Sequence, residues 1–189
     1  VINQYARGGY AVNLIMVDQE FEKLEGLLDS VEINTTASRK HVGEIEQSNR
    51  VVKERVRSIS STLPYTILPK QIVIHLVYYV VIFLNCSVAT NGVSTTLSPR
   101  EIILRRKLDW VKHCTTKGQP LEFGEYVETH EDPDITNTPR SRTYPAIYLG
   151  PTTNIQGTKK VFDLKTGVVK KPRSVTRFPC PDRVIALVN

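Results

Sequence analysis

From Arg39 to Leu63 the apolar residues Ile45, Val52, Val56, Ile59 and Leu63 recur at helical spacing, which predicts one long amphipathic helix. Gly43 stands just before it and Pro64 stops it. Upstream, residues 1–7 have the pattern of a helix end closed by Gly8-Gly9, and the mostly apolar run from Tyr10 to Val17 predicts a strand ending at Asp18. Val31 to Thr36 predicts a second short strand, with Ala37 to His41 as the loop before the long helix. Downstream, Gln71 to Ala89 is apolar over a length that a membrane span would need. It also holds Gln71, His75, Asn85 and Ser87 and has no Lys/Arg asymmetry at its flanks, so it is predicted as a buried core helix, with a membrane-associated chain as the alternative. Ser98-Pro99-Arg100-Glu101 then predicts a short capped helix with Pro in its first turn.

The period changes after Phe123. Tyr126 to His130, Tyr144 to Leu149, Lys159 to Leu164 and Val168 to Lys170 predict short strands. They are separated by turns at Asp132-Pro133-Asp134, Gly150-Pro151, Gln156-Gly157 and Lys165-Thr166-Gly167. Regular strands of this length predict a small barrel. Before them, the polar stretch from Thr115 to Pro120, with its Gly and Pro, has the composition of a linker. The expected organisation is an α/β core over 1–114, a linker over 115–122 and a small all-β domain over 123–189.

Composition narrows the partners more than the fold. The chain has 189 residues, 40% of them hydrophobic and 23% charged, as in a globular protein. A formal charge of +6 favours a polyanionic partner. Much of that charge is local: Lys159, Lys160, Lys165, Lys170, Lys171, Arg173, Arg177 and Arg183 are offset only by Asp163 and Asp182. Such a cluster suits duplex DNA held through its phosphates, and a solubilising surface would carry the same charges. The long helix adds Glu46, Arg50, Lys53 and Arg57 at i, i+4, i+7 and i+11, one acid at the head of a basic stripe. A solvated face with i,i+4 ion pairs would have this pattern too. The three cysteines are far apart and no Cys/His pair has metal-ligand spacing, which points to a reducing compartment.

Val42-Gly43-Glu44-Ile45-Glu46-Gln47-Ser48-Asn49-Arg50 resembles the helix of retroviral and retrotransposon integrases that carries the last acid of their Asp, Asp, Glu triad. The resemblance gives that position to Glu46. Asp18-Gln19-Glu20-Phe21 is similar to the motif around the second triad Asp, with a turn two residues shorter and without glycines. Ser98-Pro99-Arg100-Glu101 resembles the segment that closes integrase cores. Ala146-Ile147-Tyr148-Leu149-Gly150-Pro151, followed by Phe162 to Gly167, resembles the SH3-like barrel after the core of copia-type retrotransposon polyproteins.

The resemblance implies an RNase H-like core lacking its first strands, followed by an SH3-like barrel. Its third acid would come from a strand that precedes Val1. It further implies a two-metal site for Mg²⁺ or Mn²⁺ with Asp18 and Glu46 as catalytic and metal-binding residues, joining cDNA ends to target DNA by phosphoryl transfer. DNA would be held by Arg50, Lys53, Arg57, Lys159, Lys160, Lys170, Lys171, Arg173 and Arg177. A homo-multimer in the nucleus or in a cytoplasmic virus-like particle, without a membrane, completes the expectation. The rival is a DNA-binding remnant that catalyses nothing.

Overall fold

A computed structural model of the protein describes residues 2–17, 19–24, 27–28, 31–35, 43–90, 92–130, 139, 141–172 and 174–189. Contacts divide the chain into two compact units, Val1–Arg55 with Phe83–Leu108, and Val56–Ile82 with Asp109–Asn189. The division falls inside the two long helices.

The first unit begins with α1 (Ile2–Arg7), whose last turn is closed when the Gly8 amide donates to the carbonyls of Gln4 and Tyr5. Gly9 then turns the chain out at φ 76°. β1 (Leu14–Val17) pairs in parallel with β2 (Glu32–Thr35), and a 3₁₀ helix at Gln19–Leu24 lies in the connection. Both strands alternate exposed and half-buried positions. Asp18, Thr36 and the expected loop from Ala37 to His41 lie outside the described residues. α2 (Gly43–Thr62) follows, and α4 (Pro99–Leu104) completes the unit.

α4 is anchored by chemistry visible in four letters. Ser98 is its N-cap, the Glu101 carboxylate accepts from the Ser98 amide at 3.0 Å and from its hydroxyl at 2.8 Å, and Pro99 opens the first turn. Glu101 also accepts from the Leu108 amide at 3.0 Å. Those donors, Leu108 foremost, hold its carboxyl below the usual carboxylate range. α1 packs on α4 so closely that a Cβ on Gly8 would sit 2.2 Å from the Ile103 carbonyl oxygen. The Arg105 guanidinium, at the helix end, lies 5.5 Å from the centre of the Tyr10 ring.

The second unit holds α5 (Trp110–Cys114), the hairpin of β3 (Thr115–Thr116) and β4 (Gln119–Pro120), and a five-stranded antiparallel sheet. Its strands are β5 (Tyr126–His130), β6 (Thr143–Pro151), β7 (Lys159–Asp163), β8 (Val169–Lys170) and β9 (Val175–Arg177), in the order β8-β7-β6-β5-β9. The sheet is open, with β8 and β9 as its edges, where the strand pattern predicts a barrel. Cross-strand pairs such as Val127 with Ala146 and Tyr148 with Val161 build a buried cluster that also includes Leu121, Tyr144 and Val175. A bulge between Tyr148 and Gly150 bends β6, and Gly150 takes φ 118°. A Cβ there would come within 2.7 Å of the Tyr79 ring. Thr115 to Pro120, read as a linker, folds as the β3–β4 hairpin because Lys117 and Gly118 both adopt positive φ and close a two-residue turn.

α3 (Lys70–Cys86) departs from its expected burial. Ile72, Leu76, Val80 and Cys86 are buried, while Val73, Ile74, Val77, Tyr78 and Val81 are exposed. An apolar sequence on every side predicts burial all round, but a helix covered on one side leaves the other in solvent. Among the described residues no helix is long and apolar enough to cross a membrane. The chain ends in α6 (Asp182–Val188), with Val184 and Val188 buried. Beyond it, the Asn189 side chain accepts from the amides of Thr66 and Ile67 at 2.8 and 3.2 Å.

Candidate acidic site and nucleic-acid interface

Glu46 lies in the first turn of α2 and is exposed, one turn ahead of Arg50 on the same side. Arg50, Lys53 and Arg57 are exposed as well. Arg50 is not free to follow a phosphate: its Nε donates to Glu54 Oε1 at 2.9 Å. This i,i+4 pair is the solvated-face alternative realised at one position, and the spacing of Arg50 and Glu54 makes it legible in the sequence. Lys53 and Arg57 remain as exposed cations of the stripe. The Ile45 end of the apolar seam is itself exposed, whereas Val52, Val56, Ile59 and Leu63 are half-buried.

The metal expected by resemblance needs several hard oxygen donors in one place. Asp18 lies outside the described residues. Among the described residues no three His, Cys, Asp or Glu side chains come together to hold a cation. A single carboxylate such as Glu46 does not by itself constitute a metal site.

In the C-terminal part of the second unit, the six basic side chains expected for DNA divide sharply. Lys159 turns inward: its Nζ donates to the carbonyls of Lys112 at 2.6 Å and Gly157 at 3.0 Å, and burial lowers its pKa. The alternation of β7 puts it on the buried side with Val161 and Asp163. Lys170 bonds Asp163 Oδ2 at 2.7 Å and lies 4.7 Å from the centre of the Tyr144 ring. Arg177 pairs with Glu125 Oε1 at 2.5 Å. Arg173 lies outside the described residues. Lys160 and Lys171 are the two that the sheet places side by side, since β7 and β8 pair Val161 with Lys170 and so bring the residues beyond into opposition.

Asp163 explains why Lys170 is held. The carboxylate is buried, and its Oδ1 accepts from the amides of Lys165 at 2.8 Å and Thr166 at 3.3 Å. Burial alone would raise its pKa; the bond from Lys170 and the turn amides outweigh that and bring it below the usual range. Asp163 is thus the keystone of the β7–β8 turn, which Gly167 completes at φ 67°. Its Asp-Leu-Lys-Thr-Gly spelling carries a turn signal in the sequence, but the choice of Lys170 over Lys160 as partner follows only from strand register. In the sequence His75 on α3 stands out only as a polar residue in an apolar run, and no spacing in the chain connects it to Lys160, whose charge acts on it in the fold.

No protein-family model matches the chain, and no curated protein matches its sequence.

Proposed function

We propose that this chain is a fragment of a copia-type retrotransposon integrase, the later part of an RNase H-like core followed by an SH3-like domain, and that it acts on duplex DNA. The observation that carries the reading is the order of elements around Glu46. In sequence, Asp18 directly follows the first strand of a parallel pair, and the second strand precedes a helix that presents an exposed Glu in its first turn. Strand end and helix start are where an acid-dependent phosphoryl transferase holds its carboxylates. The capped Ser98-Pro99-Arg100-Glu101 helix and the later set of short antiparallel strands support the same reading.

In that reading Lys53 and Arg57 on α2 and Lys160 and Lys171 beside β7 supply phosphate contacts, without sequence readout. Catalysis would need Asp18, Glu46 and one acid more than these, in a homo-multimer of the full protein with Mg²⁺ or Mn²⁺, in the nucleus or a virus-like particle. The decisive experiment is a strand-transfer assay on a longer protein that includes the upstream part of the core. Glu46→Gln is expected to abolish joining while duplex binding persists; joining at the unaltered rate would remove Glu46 from the site.

The second reading, a DNA-binding remnant without catalysis, is favoured by the Asp18-Gln19-Glu20-Phe21 turn, which is two residues shorter than the motif it resembles and lacks its glycines. It predicts duplex affinity that falls steeply with salt and no metal-dependent cleavage by the longer protein.

A further inference from the structure

Lys160 stands in β7 opposite Gly150 of β6. Directly opposed residues of an antiparallel pair put their side chains on one face. A Cβ at Gly150 would meet the Tyr79 ring at 2.7 Å, so Lys160 emerges on the side that Tyr79 occupies. His75 precedes Tyr79 by one turn on the same face of α3, with its ring tilted against that of Tyr78 at 6.1 Å between centroids. On the far side of β7, the pairing of Val161 with Lys170 brings Lys171, the next residue outward, opposite Lys160.

Three nitrogen groups therefore converge from α3, β7 and the end of β8, and like charges directly opposed across strands are destabilising unless something offsets them. The neighbouring cations are engaged elsewhere, Lys159 with two carbonyls and Lys170 with Asp163. What acts on Lys160 is burial and then Lys171; what acts on His75 is burial and then Lys160. His75 is thus faced by Lys160 from β7, with Lys171 behind it, and by Tyr78 from its own helix. Among the described residues no ion pair joins a carboxylate to Lys160, Lys171 or His75.

We propose that His75, Lys160 and Lys171 form a phosphate-binding subsite that tightens when His75 takes up a proton, and, resting on the DNA reading above, that it holds a backbone phosphate of duplex DNA. A phosphate supplies the absent counter-charge and removes the penalty for a third positive group. The pH sign follows. With its pKa lowered by burial and Lys160, His75 is neutral at neutral pH in the free protein, and it charges as the pH falls or as the anion arrives. Affinity therefore rises as the pH falls below neutral.

The test has two arms on the full chain. In the first, the His75 ring is titrated by NMR with and without inorganic pyrophosphate, His75→Gln identifying its signal. Pyrophosphate is expected to raise the His75 pKa by about one pH unit. Lys160→Gln and Lys171→Gln should each reduce that response. An unchanged His75 titration overturns the subsite. In the second, binding of a short duplex is followed against salt and pH. Lys160→Gln and Lys171→Gln are each expected to lower the slope of log affinity against log salt by about one. His75→Gln should remove the gain at acid pH. A duplex that binds wild type and all three variants alike overturns the subsite. Pyrophosphate acting on His75 in a chain that binds no duplex supports the subsite and overturns the DNA reading.

Discussion

The parallel pair β1–β2 and the five-stranded sheet are both β-structure, but they are held in different ways. No residue of β1 or β2 is fully buried, and Leu14 and Met16 are left exposed at 48% and 43%. In the sheet, Val127, Ala146, Ile147, Tyr148 and Val161 are all at 0%. Parallel strands ordinarily have both faces covered, and two strands alone make a marginal structure. The first unit accordingly leans on local polar devices, the Ser98–Glu101 cap and the Tyr10–Arg105 stack, while the second rests on apolar burial. The Glu46 stripe and the Ser98–Glu101 cap lie where packing is thin, whereas Ala146 to Leu149 lie where it is deepest.

The sharpest break in that comparison is expected on α3. Leu76 is fully buried and Val77, beside it, is 39% exposed. Leu76→Ala should cost about 3 kcal/mol through lost burial and the cavity left behind. Val77→Ala should stay within about 0.5 kcal/mol, as exposed substitutions do. Denaturant unfolding of the two variants measures the difference. Equal losses would mean that the two faces of α3 are equivalent, and the contrast between the units would then not rest on burial in the second.

The next effect concerns Asp163, the one buried carboxylate among the described residues of the sheet. Asp163→Ala leaves the amides of Lys165 and Thr166 and the Lys170 ammonium without their acceptor, an expected loss of about 2 kcal/mol. Because the folded pKa of Asp163 is below its unfolded value, its contribution is fully present above the unfolded value and is lost as the pH falls through the folded one. The stability gap between wild type and Asp163→Ala should therefore narrow below about pH 4. Unfolding series at neutral and acid pH check this, and a gap that widened with acid would reverse the sign assigned to Asp163.

Particular residues show what was legible in advance. The period-two runs at Tyr126 and Lys159 located β5 and β7 closely, and Ser98-Pro99-Arg100-Glu101 foretold its own cap, since each depends on neighbours in the chain. Val175 to Arg177 was missed as β9: three residues offer too little alternation, and the strand exists because β5 pairs with it. α6 was missed for a similar reason, its only anchors being Val184 and Val188. The open sheet and the half-exposed α3 depend on what covers each element, which hydrophobic pattern does not encode. Among candidate site residues, the exposure of Glu46, Lys53 and Arg57 followed from helical spacing, whereas Lys159 could be told from Lys160 only once strand alternation assigned them to opposite faces.

The smallest effect tests the first unit by its polar devices. Ser98 is buried, donates to Glu101 Oε2 at 2.8 Å and receives the Glu101 amide at 3.4 Å. Ser98→Ala removes this half of the capping box and should cost about 1 kcal/mol. The Leu108 amide bond to Glu101 Oε1 does not pass through the serine, so it should survive. Native-state hydrogen exchange distinguishes local from shared stability. If the thinly packed unit opens by itself, protection falls at the Glu101 and Ile102 amides and stays unchanged at Val127, Tyr148 and Val161. If all of these amides lose protection equally, the two units unfold as one, and the cap on a six-residue helix supports the buried sheet as much as its own surroundings.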